Sequence, residues 1–283
     1  MNKLNNNKKI DVVILQQDIS DNTNKNLESF IKSINKVKAS TNITIVVGHE
    51  LSYLKYFPIT KNLVNKKYAI QKSSKIFKDI KNICIKKNIF FLFSFFEKSK
   101  ERLYNSVSLI SPNGKEVGKY RKINIPNEEC YQEKYYFNKP NNKHAVIDIG
   151  ICKIGLMICW DQWHYESYQQ LNKLGADLIL CPTSIGYAYK KSKCISLANE
   201  KEKWLNVITA NSLMINTPIV IANRTGCECS KDNMIKFWGS SFVTNSNGDI
   251  DFINKNNKSM SYITIDLSMK NLSKKTWGFY QKN

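Results

Sequence analysis

Nine short apolar runs recur along this chain, at about residues 12–15, 43–47, 89–95, 107–110, 145–149, 153–158, 178–180, 219–222 and 241–244. Runs of this length bounded by polar residues read as strands, and the segments 23–38, 67–87, 164–174 and 195–213 between some of them read as helices. The order is broadly βαβα, which predicts an α/β protein. Some links are too short for a crossover helix: Ser-Pro-Asn-Gly-Lys at 111–115, Asn-Ser-Asn-Gly-Asp at 245–249, and the link at Gly150. They carry tight-turn chemistry, so the sheets are expected to be mixed. No repeat of 20–50 residues and no glycine-rich phosphate loop is evident, so nucleotide chemistry has no support.

With 283 residues and no Ser- or Pro-rich interruption, the chain reads as one domain spanning 1–283, its catalytic core at about 9–270. No stretch approaches the roughly 20 apolar residues that span a bilayer, and the first ten residues lack the apolar core of a secretory signal. A cytoplasmic protein without membrane contact is expected. Eight cysteines are scattered through the chain, several within apolar runs, as reduced and mostly buried thiols would be. Cys227 and Cys229 have no second pair at ligand spacing, and with only His49, His144 and His164 in the chain no metal site is expected. The formal charge of +20 raises nucleic-acid binding as a rival function. The lysines are dispersed among Asn and Ile rather than clustered, so a solvated basic surface is the better reading and no nucleic-acid partner is expected.

Cys159 follows the run 153–158 and precedes Trp-Asp-Gln-Trp-His, which leads into a helical segment. That puts a thiol on a turn at the C-terminal edge of a strand, where open α/β sheets place chemistry. Backbone N–H groups and the helix start there favour a thiolate and a developing oxyanion. On its own the thiol reads more readily as a packed strand-end cysteine. No histidine has the Asn or Asp partner arrangement of a Cys–His enzyme, so the base is expected to be a carboxylate. Glu50 closes the run 43–47 and also emerges at a strand end, as a solvated residue or as a site group. Lys122, after a hairpin, reads by itself as surface charge.

Together these segments resemble the nitrilase, or carbon-nitrogen hydrolase, superfamily over nearly the whole chain. Glu50-Leu51 with the aromatic-rich stretch 52–57, including Tyr56, resembles the family's base motif. Lys-Tyr-Arg-Lys at 119–122 resembles its lysine motif, and Ile-Cys-Trp-Asp at 158–161 its nucleophile motif. The resemblance implies a four-layer α-β-β-α sandwich and a catalytic Glu50–Lys122–Cys159 triad without cofactor or metal. It also makes Glu133 an additional site residue that positions the lysine and substrate. The flanks Cys-Trp-Asp-Gln-Trp at 159–163, Tyr-Gln-Glu-Lys-Tyr-Tyr-Phe at 131–137, Cys-Pro-Thr-Ser-Ile-Gly at 181–186 (with Ser184), Ala-Asn-Arg at 222–224 and 237–242 are similar to the branch acting on N-carbamoylputrescine. The departures are Asn-Glu-Glu-Cys at 127–130 in place of an Asp/Pro/Gly-rich turn, His49 before the glutamate, and little sequence after 277–280, where relatives carry a tail that aids subunit contacts. A homo-oligomer, at least a dimer, is implied.

The expected reaction is hydrolysis of a terminal carbamoyl group, with N-carbamoylputrescine giving putrescine, carbon dioxide and ammonia. Another amide or carbamoyl amine, or a silent binding relative, is the alternative. Glu50 is the general base, Cys159 the nucleophile, and Lys122 with the Trp160 backbone N–H stabilises the oxyanion. A cationic substrate sits poorly with a strongly basic protein unless local carboxylates reverse the field. Glu128 and Glu129 are expected to face its ammonium, with Asp161 as another candidate, or else to be exposed loop charge.

Overall fold

The computed structural model describes residues 8–268 except 142 and 256. The segment 277–280 and the last two residues of the expected 9–270 core lie outside the described residues.

Strands β1 (Lys9–Gln16), β2 (Ile43–Gly48), β3 (Phe90–Ser99), β4 (Arg102–Ile110) and β5 (Glu116–Arg121) belong to one sheet. Strands β6 (Ala145–Asp148), β7 (Lys153–Leu156) and β8 (Leu178–Thr183) open a second. The chain then leaves through β9 (Gly186–Lys190) and β10 (Lys193–Cys194), returns in β11 (Ile219–Asn223), and leaves again through β12 (Thr225–Ser230) and β13 (Asn233–Trp238). Strands β14 (Phe242–Thr244) and β15 (Ile250–Ile253) finish the second sheet, and β16 (Ser259–Asp266) crosses back to the edge of the first. The spatial orders are β16-β1-β2-β3-β4-β5, β15-β14-β11-β8-β7-β6, and β10-β9-β13-β12 for a small third sheet. Parallel triplets β1-β2-β3 and β7-β8-β11 form the middle of the two large sheets, with antiparallel strands outside them. The sheets are mixed, as the short links imply.

Alternation along each strand creates the layers. In β1, Ile10, Val12 and Ile14 face the second sheet, where they meet Ile154, Leu156, Leu180 and Val220. Val13 and Leu15 point outward, towards Phe30 and Ile34 of α1 (Thr23–Asn35) and Phe77 and Ile80 of α2 (Lys75–Lys87). The outer face of the second sheet packs Ile179, Ile219 and Ile221 against Tyr168 and Leu171 of α3 (Tyr165–Lys173) and Trp204 and Ile208 of α4 (Glu200–Ile215). Strands buried on both faces read as continuous apolar runs, and this explains why the inner strands were visible in sequence. The result is an α-β-β-α sandwich.

Two helix boundaries differ from the expectation. The segment 67–87 becomes helical only at Lys75, because Ser74 caps the Phe77 amide and the preceding turn Leu63–Tyr68 is 3-10. The segment 195–213 becomes Glu200–Ile215, ending at Asn216 in the left-handed conformation. The third sheet and β16 were not anticipated. Their strands alternate buried and exposed residues, and in β12 the inward position is taken by a charged residue, Glu228, so no apolar run marks them. Among the described residues, no helix is long and apolar enough to cross a membrane. Cys84, Cys130, Cys152, Cys159 and Cys181 are buried, but Cys194, Cys227 and Cys229 are exposed. Among the described residues, no group of three or more His, Cys, Asp or Glu side chains is arranged to hold a metal ion.

Candidate active site

The side chains in question gather where the C-terminal ends of strands from both large sheets meet. Glu50 lies two residues beyond β2, Lys122 directly follows β5, and Cys159 follows β7 at the head of the 3-10 turn Cys159–Trp163. Cys159 has φ +42°, and Leu51, next to Glu50, has φ +52°. Left-handed backbone is costly for residues with a Cβ and persists where the surroundings impose it. Asp161 imposes it at the cysteine. One of its oxygens accepts from the Ile158 amide (3.0 Å) and the Tyr120 hydroxyl (2.8 Å), the other from the Asn124 amide (2.9 Å) and side chain (3.0 Å). Asp161 therefore binds the cysteine turn to the segment after Lys122, and its carboxylate is occupied by that task rather than turned towards a substrate ammonium.

Lys122 is buried and lies between two buried carboxylates. Its Nζ donates to Glu50 Oε1 at 2.9 Å and to Glu133 Oε1 and Oε2 at 2.8 and 2.7 Å. Burial opposes the ammonium charge, but Glu133 and Glu50 outweigh it and raise the lysine above its ordinary range. Burial pushes Glu133 up to about 7 against the pull of Lys122. The Tyr56 hydroxyl donates to Glu133 Oε1 at 2.6 Å; burial and that carboxylate push the phenol well up, so it stays a donor. Asn105 on β4 donates from Nδ2 to Glu50 Oε1 at 2.7 Å, and its carbonyl accepts from the Lys122 amide at 2.9 Å. Glu50 Oε1 thus serves two donors, while Oε2 is buried with no hydrogen-bond partner among the described residues.

Cys159 is nearly inaccessible. Burial and the Glu50 charge push its thiol well up, partly offset by Lys122 and by a hydrogen bond with the Ser184 backbone amide. The resting sulfur is therefore protonated and needs a base. The Ser184 hydroxyl donates to the Glu50 carbonyl at 3.3 Å and accepts from Arg224 Nε at 3.1 Å. Arg224 is wholly buried; it also donates to the carbonyls of Glu50 and Leu54 at 2.9 Å each and to Glu228 Oε1 at 2.6 Å. Asn105, Arg224 and Glu228 were not singled out as site residues from sequence. The only signal was Arg224 inside the Ala-Asn-Arg flank. Glu228, between Cys227 and Cys229, is not part of a metal arrangement but the buried counter-ion of that guanidinium.

His49 is buried and donates from Nδ1 to the Glu50 carbonyl at 2.9 Å. Burial and the nearby Arg224 hold it well below the ordinary histidine range, so it is neutral. A cavity of about 650 Å³ opens beside the nucleophile turn and is lined by Trp160, His164, Asn124, Glu128, Lys134 and Lys139 among others. Glu128 and Glu129 do not act as a pair. Glu128 lines the cavity, whereas Glu129 turns away to Lys190 at 3.0 Å and Asn233 at 2.8 Å.

A paired base and ammonium facing a buried thiol on a strained strand-end turn is an arrangement suited to acyl transfer. The pattern that defines the carbon-nitrogen hydrolase family matches residues 12–274. The chain belongs to that family and is an enzyme that hydrolyses carbon-nitrogen bonds. Among similar proteins is a citrullinase from Francisella tularensis subsp. tularensis, 31% identical over 96% of this chain and 94% of the relative. An N-carbamoylputrescine amidase from Arabidopsis thaliana is 32% identical over 66% of this chain, a match spanning 63% of the relative's length. The crystal structure of a carbon-nitrogen hydrolase from Helicobacter pylori G27 superposes with a TM-score of 0.81 and 25% identity, covering 96% of this chain and 94% of that one.

Proposed function

We propose that the chain hydrolyses the terminal carbamoyl group of a small ureido compound by cysteine catalysis. The observation that carries the reading is the division of labour on Glu50: Oε1 is held by Lys122 and Asn105, and Oε2 is left to take a proton. Glu50 accepts the Cys159 proton as sulfur adds to the carbamoyl carbon. Lys122, with the Trp160 backbone N–H, balances the oxyanion. The C–NH₂ bond breaks as Glu50 returns the proton to the departing ammonia, leaving a carbamoyl thioester. Glu50 then activates water, and the thioester is hydrolysed to a carbamate that decays to amine and carbon dioxide. Glu133 and Tyr56 orient Lys122, and Ser184 positions the sulfur and the Glu50 backbone.

The sequence flanks favour N-carbamoylputrescine as substrate. A second reading, citrulline, is favoured by the near full-length likeness to a citrullinase, where the likeness to the N-carbamoylputrescine amidase spans about two thirds of this chain. Both compounds present the same ureido group to the thiol. In the cell we place the enzyme in the cytoplasm, as a homo-oligomer. The test is ammonia release by Cys159→Ala and Cys159→Ser, each expected to lose activity on the order of a thousand-fold or more. Residual turnover near the wild-type rate in either variant would remove Cys159 from the chemistry.

A further inference from the structure

Resting on the ureido-hydrolase reading, we infer that the far end of the substrate carries both a carboxylate and an ammonium, the pattern of an α-amino acid, and not an ammonium alone. The cavity that opens at Trp160, next to the nucleophile in sequence, is lined by two exposed cationic side chains, Lys134 and Lys139, and by a single anionic one, the exposed Glu128. The other carboxylates nearby are committed. Glu50 and Glu133 hold Lys122, Asp161 accepts four hydrogen bonds that tie the nucleophile turn to Tyr120 and Asn124, and Glu129 is paired with Lys190 and Asn233. A lone ammonium entering this space meets one attractive charge and two repulsive ones, within a protein of formal charge +20. A zwitterionic end satisfies the lining in full: its ammonium faces Glu128, and its carboxylate accepts charge-assisted hydrogen bonds from Lys134 and Lys139. The lysines are placed for this by sequence. Lys134 lies in the 3-10 turn that begins with Glu133, its amide tied to the Pro126 carbonyl at 3.2 Å, and Lys139 follows the buried Phe137 by two residues. The same segment that orients the catalytic lysine thereby presents the cations of the cavity.

The experiment compares kcat/KM for ammonia release from L-citrulline, N-carbamoylputrescine and N-carbamoyl-β-alanine, with the wild-type chain and with the Lys134→Gln/Lys139→Gln and Glu128→Gln variants. Citrulline is expected to exceed both others by ten-fold or more. The double lysine variant should reduce citrulline turnover at least ten-fold while leaving or improving N-carbamoylputrescine. Glu128→Gln should weaken both amine-bearing substrates while sparing N-carbamoyl-β-alanine. Equal or faster turnover of N-carbamoylputrescine by wild type, or an unchanged preference in the double variant, overturns the inference but leaves the ureido reading standing. No ammonia from any of the three compounds overturns that reading and the inference with it.

Discussion

At Glu133, burial and charge act in opposite directions on one carboxyl group, and the balance falls near neutrality. Burial raises it to about 7, while Lys122 and Tyr56 bond its charged form. Above that pH the ionised group shares Lys122 with Glu50 and holds the ammonium in place; below it, Lys122 loses that charged partner and leans on Glu50 alone. The rate should therefore fall as pH drops through about 7, and Glu133→Gln should flatten that limb at a rate lowered about ten-fold or more, as a pH–kcat/KM profile would show. Tyr56→Phe removes the 2.6 Å bond and should shift the limb upward in pH, since the ionised form loses a donor. Glu50 and Cys159 were legible because each follows a strand signal in sequence, whereas Lys122, after the half-exposed β5, stood out only through its resemblance to the family's lysine motif. Asn105 was not legible: an asparagine within a strand shows nothing of its direction until the pairing of β4 with β5 places it beside Glu50.

Among the elements, the loops after β2, β8 and β11 are held together by Arg224. Its guanidinium reaches the Glu50 and Leu54 carbonyls, the Ser184 hydroxyl and Glu228, so one buried side chain sets the backbone carrying the base and the backbone facing the thiol. A lysine cannot reproduce this fork. Arg224→Lys should keep the ion pair with Glu228 yet lower kcat by about 10- to 100-fold through misplacement of Glu50, with KM moving much less. Glu97 plays an outer role, joining β3 to Lys119 and Arg121 of β5 at 2.7–2.8 Å. Burial opposes its charge, but the hydrogen bonds from Arg121, Lys119 and Ser106 prevail and lower it to about 2. A depressed carboxylate stabilises the fold above its ordinary value near 4.5 and loses that contribution as pH falls through about 2. Glu97→Gln should cost about 2 kcal/mol at neutral pH and flatten the acid limb of a urea-midpoint profile. Arg224 was visible in sequence only as part of a flank and Glu228 not at all, because alternating strands with a solvated face leave no apolar run to show which polar residue turns inward.

For the whole molecule, the charge of +20 is an excess spread over the chain, not a patch. Such a field acts on encounter more than on the bound state, and salt screens it. With N-carbamoylputrescine, kcat/KM should rise as sodium chloride is raised to about 0.3 M; with citrulline, which carries no net charge, it should stay nearly flat. The α/β layering was readable from sequence because the inner strands of both large sheets are apolar on both faces. The third sheet and the return of β16 were not, since their patterns are half polar and the pairings β9–β13 and β1–β16 join strands distant in sequence.

That return has a consequence for a chain emerging from the ribosome. Glu50, Lys122 and Glu133 are synthesised with the first sheet, and Cys159, Ser184 and Arg224 with the second. The edge of β1 is closed only when residues 259–266 appear. The base and the thiol therefore belong to different sheets, and the cysteine stays chemically ordinary until those two sheets pack face to face.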